Sequence, residues 1–247
     1  MTAALVTGAS YGIGAATAIG LAEDGFDVAI TDLTTASLAA TVAAIEAIGQ
    51  RCIALSLDLR DQASIEDAIA DAAGQLDGLD VLVNNAGVPS PSRPAVDITR
   101  EIWDAGIAVN LTGTFFMARE MGRYLIGAAR PGAIISLAST HGVVGFQGTA
   151  PYGIAKAGVG HMSRILAIEW APHNIRVNAV APGTTPTESR APSLADPKRR
   201  EAMQSRIPLK RFAEVDEVAG AIRYLASPQA AYITGQTLVV DGGLTAY

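Results

Sequence analysis

Short β-branched or aliphatic runs alternate along the chain with longer alanine-rich stretches of helical period. Strands that are apolar at successive positions suit a sheet buried on both faces, so the alternation predicts βαβ units and a parallel sheet. Seven strands are predicted, over 4–6, 28–31, 52–57, 81–83, 133–137, 176–180 and 238–240. Ser37 is placed to cap a helix that stops at Gly49, and Asp61 to cap one reaching about Gly74. A short polar side chain satisfies free N–H groups at a helix start, and glycine takes the left-handed exit. Further helical stretches cover 15–23, 104–129 and 151–170. No linker or internal repeat interrupts this pattern, so 1–247 reads as a single α/β domain of Rossmann type, a doubly wound seven-stranded parallel sheet with helices on both faces. The least regular stretch, 182–197, is rich in Pro, Thr and Ser, and about 184–206 is predicted to form a variable lid over a site.

Composition narrows the field. At 49% hydrophobic and 17% charged, the chain has enough apolar material for a large core, which excludes disorder as its main state. A net charge of −6 argues against nucleic-acid and anionic-membrane partners, both of which call for a basic patch. Cys52 is the single cysteine, no apolar run reaches membrane-spanning length, and the opening residues lack a signal peptide's basic flank. A soluble, cytoplasmic protein is expected. The mean hydropathy of +0.28 is high for such a protein, and Lys156, Lys198 and Lys210 are its only lysines.

Directly after the first predicted strand come Gly8, Ser10, Tyr11, Gly12, Ile13 and Gly14, leading into a helix. Glycines let the backbone turn tightly and approach a pyrophosphate, whose charge the helix N-terminus favours. The spacing alone is weak, but strand, turn, helix and second strand complete a dinucleotide-binding unit. Asp32 ends that second strand, 18 residues past Gly14, where an acid can accept both ribose hydroxyls. A carboxylate there repels a 2′-phosphate, and its neighbours Tyr11 and Leu33 bring no cation, so NAD(H) is expected rather than NADP(H).

In the second half, Tyr152 and Lys156 stand four apart on a predicted helix and share one face. With six tyrosines and three lysines in 247 residues, chance gives this spacing roughly 0.07 times. A tyrosine titrates near 10, and a cation about 5 Å from the phenolate lowers that by roughly 2 units at an effective dielectric of 20. The phenol is then poised to pass a proton to or from an alcohol oxygen.

Taken together, these motifs make the chain resemble a classical short-chain dehydrogenase/reductase from Leu5 to Gly243. The glycine turn, Asp58-Leu59, the run Asn84-Asn85-Ala86-Gly87, Asn110, Ser139, Tyr152, Lys156, Pro182-Gly183 and the closing Ile233 to Gly243 occur in the family's order. The resemblance implies an active site of four residues. Tyr152 is the general acid/base at the substrate oxygen, Ser139 steadies the charge developing there, Lys156 lowers the Tyr152 pKa and holds the nicotinamide ribose, and Asn110 anchors a water. It implies that Asp58 and Leu59 meet the adenine, that Asn85, Ala86 and Gly87 line the cofactor, and that Pro182, Gly183, Thr185 and Thr187 border the nicotinamide. Two threonines, Thr184 and Thr185, stand where members commonly carry bulky aliphatic residues. No metal is implied, and a homotetramer is, formed by the helices over 104–129 and 152–170.

By the same resemblance the substrate pocket draws on Ser139, His141, Val143, Phe146, Gln147, Tyr152, Thr187, Glu188 and Arg190. Their polarity suggests a small sugar, polyol or hydroxy acid. The alternatives are a 3-oxoacyl thioester reductase, an epimerase or dehydratase on the same fold, and a non-catalytic dinucleotide-binding regulator, which would be expected to have lost part of the catalytic set.

Overall fold

The computed structural model describes residues 2–246, without the side chains of Pro192 and Ser193; the two end residues of the expected 1–247 domain lie outside it. Seven strands form one parallel sheet: β1 (Ala3–Thr7), β2 (Asp27–Asp32), β3 (Cys52–Ser56), β4 (Val81–Asn84), β5 (Gly132–Leu137), β6 (Ile175–Pro182) and β7 (Thr237–Val240). Their spatial order is β3-β2-β1-β4-β5-β6-β7, every neighbouring pair parallel. Chain order reverses between β1 and β4, and a crevice opens at that point beyond the strands' carboxyl ends.

Alternation along the strands sorts the apolar residues into two cores. Leu5, Ala29, Leu82, Ile134 and Val177 face α3 (Gln62–Gln75), α5 (Thr114–Gly127) and α6 (Ala150–Trp170), through Ile65, Met117, Met121, Leu125 and Val159 among others. Val6, Val28, Ile30, Val83, Ile135 and Val180 face α1 (Gly12–Glu23), α2 (Ala39–Ile48) and α9 (Val215–Ala226), through Leu21, Ile45, Val218 and Ile222. Each large side chain fully buried this way contributes roughly 1.5–3 kcal/mol, and having both faces covered is why the strands read as nearly unbroken apolar runs.

Asp61 caps α3 as expected, accepting from the Ala63 N–H at 3.1 Å, and Gly49 ends α2 at φ 96°. Ser37 does not cap α2. Residues 35–38 form a separate 3₁₀ turn, where the Ser37 hydroxyl donates to the Thr34 carbonyl, and α2 begins only at Ala39.

The helix expected over 104–129 starts earlier, as α4 (Arg100–Ile107), and passes through a π-helical turn at Ala108–Gly113 before α5. The expected irregular stretch 182–197 is partly ordered. β6 runs through Pro182, and a 3₁₀ turn (Glu188–Arg190), α7 (Ala191–Leu194) and α8 (Pro197–Ser205) make up most of the segment 184–206. A small cluster of Leu194, Ile207 and Phe212, with Met203 and Leu244 packed on it, ties this segment to the chain's end. Among the described residues, no helix is long and apolar enough to cross a membrane.

Candidate active site

The crevice is a cavity of about 870 Å³ running from the glycine turn to the segment 184–206. At its nucleotide end the first turn is built around bare backbone. Gly8 has φ 65°, and a Cβ there would lie 2.8 Å from the Ala86 Cα. A Cβ at Gly14 would strike the Gly8 carbonyl oxygen and the Asn85 amide. The turn is fastened to the end of β4: Thr7 Oγ1 accepts from the Asn85 and Ala86 N–H groups, and Asn85 Nδ2 donates to the Thr7 and Gly8 carbonyls at 3.0 and 2.8 Å.

Most of the expected nucleotide residues line this wall: Gly8, Tyr11, Gly12, Ile13, Asp32, Leu33, Asp58, Leu59, Asn85, Ala86 and Gly87. Ser10 and Gly14 do not. Ser10 stands behind the wall, donating to Asp32 Oδ2 at 2.5 Å, and Gly14 provides the close packing under the turn. Asp32 Oδ1 accepts from its neighbour's amide, Leu33 N–H, at 2.8 Å. Asp58 is held by Arg60 through three side-chain contacts, at 2.6, 2.9 and 3.2 Å, and this guanidinium keeps its carboxyl below the usual range. Arg60 lines the cavity too and was missed by sequence reasoning; a cation two places after a motif aspartate is the signal that could have found it.

At the chemical end, β5 delivers Ser139 and α6 delivers Tyr152 and Lys156 to one stretch of wall. The Ser139 hydroxyl accepts from the His141 N–H and lies 3.3 Å from His141 Nδ1. The His141 ring packs edge-on to Tyr152 at 5.6 Å and against Phe146 at 4.3 Å between centroids. Burial, reinforced by the Arg190 charge, pushes the His141 pKa down to about 4, so its ring is neutral near pH 7.

Lys156 is buried, and its ammonium donates to the Leu137 carbonyl at 2.6 Å. Burial lowers its pKa to about 8. Burial also raises the Tyr152 phenol, against an opposing Ser139 hydrogen bond and the Arg190 charge. The expected depression of the phenol by Lys156 is therefore corrected. The lysine nitrogen stands 5.8 Å from the centre of the tyrosine ring and is drawn to Leu137 instead, so the groups pulling the phenol down are Ser139 and Arg190.

Asn110 sits in the π-helical turn, a backbone irregularity frequent at functional sites. Its Nδ2 donates to the carbonyls of Val88 and Gly106 at 2.8 and 3.0 Å, and its Oδ1 accepts from the Val88 N–H. The side chain thus clamps the loop after β4.

Of the remaining candidates, Pro182, Gly183, Thr185, Thr187, Gln147, Phe146 and Arg190 line the same cavity. Glu188 does not. It turns to a second cavity of about 860 Å³ between α1, α9 and the segment 184–206.

The chain's own residues fit a nicotinamide dinucleotide. The glycine turn leaves room where side chains would intrude, and Asp32 offers a carboxylate to a ribose. Lys156 uses one of its three ammonium donors on Leu137, which leaves donors for a second ribose. The buried hydroxyls of Thr31 and Thr185, both on residues lining the cavity, have no partner among the described residues.

Comparison with known proteins agrees with this geometry. A family model described as enoyl-(acyl carrier protein) reductase, one of the short-chain dehydrogenase models, matches residues 8–245. The chain is 40% identical over 241 residues to an L-rhamnose 1-dehydrogenase (NAD(P)(+)) of Sphingomonas sp. strain SKA58, covering 97% of this chain and 94% of the relative. It is 41% identical over 244 residues to the cis-4-hydroxycyclohexanecarboxylate dehydrogenase of Sinomonas cyclohexanicum, covering 98% and 96%. The crystal structure of a Sinorhizobium meliloti 1021 protein described as a short-chain alcohol dehydrogenase superposes with a TM-score of 0.95 at 44% identity, covering 99% of this chain and 96% of that one. The fold and site define a Rossmann-type oxidoreductase. The chain belongs to the short-chain dehydrogenase/reductase family.

Proposed function

We propose that this protein is an NAD-dependent dehydrogenase that interconverts a secondary alcohol and a ketone on a small polar substrate: a sugar, a polyol or a hydroxy acid. The observation that carries the reading is the convergence of Tyr152, Ser139 and Lys156 on a cavity continuous with the glycine turn and Asp32. When bound, the nicotinamide supplies hydride exchange with the carbinol carbon.

The protein's part is position and proton management. Tyr152 exchanges a proton with the substrate oxygen, and the Ser139 hydroxyl holds that same oxygen. Lys156 holds the nicotinamide ribose, and the turn Pro182 to Thr187 borders the ring. Because burial holds the phenol protonated at neutral pH, Tyr152 is set as an acid for ketone reduction, and alcohol oxidation gains as pH rises.

The choice of NAD rests on Asp32, although the rhamnose dehydrogenase relative is named for both dinucleotides. Of the two relatives described above, one is named for a neutral sugar and one for a hydroxy acid, which supports a polar alcohol. Acyl thioesters are the second reading, favoured by the family model's own description. A homotetramer fits the exposed apolar side chains Phe115 on α5 and Ile154, Ile165 and Ile168 on α6. A cytoplasmic location fits the single cysteine.

The test is a screen for dinucleotide reduction with NAD and NADP across sugars, polyols, hydroxy acids and hydroxyacyl thioesters. Turnover of polar alcohols with NAD is expected. Turnover of thioesters alone, or of no alcohol, would overturn the reading. Sedimentation analysis checks the tetramer.

A further inference from the structure

A serine hydroxyl has one O–H to donate and two lone pairs to accept with, so the groups around Ser139 decide where its single proton points. Ser139 is buried, and it caps the 3₁₀ turn Thr140–Gly142. One lone pair is thereby taken by the His141 N–H, at 3.2 Å. The ring nitrogen Nδ1 of the same histidine stands 3.3 Å from the hydroxyl oxygen.

The histidine is held in that place from two sides. Its backbone is pressed onto α6, where a Cβ at Gly153 would lie 2.9 Å from the His141 carbonyl oxygen. Its ring is packed against Phe146 and lies edge-on to Tyr152. Neutral near pH 7, the ring carries one N–H and one bare nitrogen.

Two arrangements satisfy the contact between Ser139 and Nδ1. With Nδ1 bare, the serine donates its only proton to the ring and has none for a reacting oxygen. With the hydrogen on Nδ1, both serine lone pairs are filled, and the proton is left to point toward Tyr152 and the substrate. The second arrangement agrees with the Ser139 hydrogen bond that pulls the Tyr152 phenol down.

We infer that His141 is a positioning residue: its ring carries the hydrogen on Nδ1, donates it to Ser139 Oγ, and so aims the serine's proton at the substrate oxygen. Nε2 is then a bare acceptor. A histidine that served only to contact substrate would act through Nε2 and be felt in KM, whereas one that aims Ser139 acts on charge developing in the reaction and is felt in kcat.

This inference rests on the dehydrogenase reading, and the experiment separates the two. NMR of the nitrogen-labelled protein at neutral pH reads the tautomer without any turnover, because protonated and bare ring nitrogens resonate far apart. The signals that vanish in His141→Asn belong to His141. A hydrogen on Nδ1 is expected, and a bare Nδ1 would overturn the inference.

Kinetics with an alcohol substrate gives the second readout. His141→Leu should lower kcat roughly tenfold with KM within about threefold, the effect of one lost hydrogen bond in the transition state. His141→Asn, whose amide N–H can stand where Nδ1 stood, should recover most of that loss. His141→Gln reaches the Nε2 position instead and should not. Equal losses in the Asn and Leu variants, recovery by Gln, or a change in KM alone would each refute the aiming role. If no alcohol is oxidised, that failure falls on the dehydrogenase reading, and the tautomer alone decides for His141; it also decides if the variants do not fold.

Discussion

The Ser10 hydroxyl donates to Asp32 Oδ2 at 2.5 Å, tying the glycine turn to the end of β2 and fixing the carboxylate at the cavity wall. Its other oxygen accepts from the Leu33 N–H. A carboxylate held on both oxygens is poorly placed to swing away from an incoming 2′-phosphate, so NADH should bind tighter than NADPH. Asp32→Ser should weaken NADH by about tenfold and move the NADH/NADPH preference at least tenfold toward NADPH. Fluorescence titration of both dinucleotides measures this, and tighter NADPH binding by the unsubstituted protein would sink the Asp32 argument.

Tyr152→Phe removes only the hydroxyl. Turnover should fall by about 10²- to 10⁴-fold, with the NADH dissociation constant within about threefold. Because burial raises the phenol, oxidation by the native enzyme should climb with pH into the alkaline range, and the variant should lose that limb. Full turnover in Tyr152→Phe would mean that another group moves the proton.

The seven strands and their parallel sheet were legible in the chain, since a strand buried on both faces has an unmistakable run of apolar residues; their spatial order is seen only in the structure. What stayed hidden depended on contacts between distant segments. Asn85 and Asn110 look alike as motif positions, yet both amides hold backbone: Asn85 clasps the first turn and Asn110 the loop after β4. Ser37 was a plausible cap, but a 3₁₀ turn closes first. Glu188 and Arg190 are two residues apart in one 3₁₀ turn, yet they line different cavities. The Tyr152–Lys156 spacing brought the two side chains to one wall, whereas the Leu137 carbonyl that captures the ammonium lies on another element.

Lys156 is buried as a cation, and this has a measurable dependence on pH. Its folded pKa of about 8 lies below the ordinary 10.5, so below pH 8 folding bears the full desolvation penalty. Between pH 8 and 10.5 the folded state releases the proton while the unfolded chain keeps it, and stability rises with pH through that window. In a Tyr152→Phe background, which removes the neighbouring titration, Lys156→Met should abolish the rise. The stability difference between the two proteins should change by on the order of 2 kcal/mol from pH 7.5 to pH 10. Denaturant unfolding at both pH values measures it, and parallel curves would show that the ammonium is solvated.

Two glycines in helices should respond oppositely to the same substitution. In α1, Gly14 lies under the first turn, and an added methyl would meet the Gly8 carbonyl oxygen and the Asn85 amide, both held by the contacts that join the turn to β4. Neither neighbour is the loose end of a flexible side chain, so the turn itself must open. Gly14→Ala should cost about 1–3 kcal/mol of stability and weaken NADH binding by more than tenfold, since the displaced backbone is the surface meant for the pyrophosphate. In α3, Gly74 has nothing within 4 Å of where its Cβ would stand. There alanine only restricts the unfolded chain and favours the helix, so Gly74→Ala should stabilise by a few tenths to about 1 kcal/mol and leave binding unchanged. Thermal unfolding and NADH titration on the pair separate a close-packing role for Gly14 from a general intolerance of alanine. Equal tolerance at both positions would mean that the first turn is looser than its contacts imply.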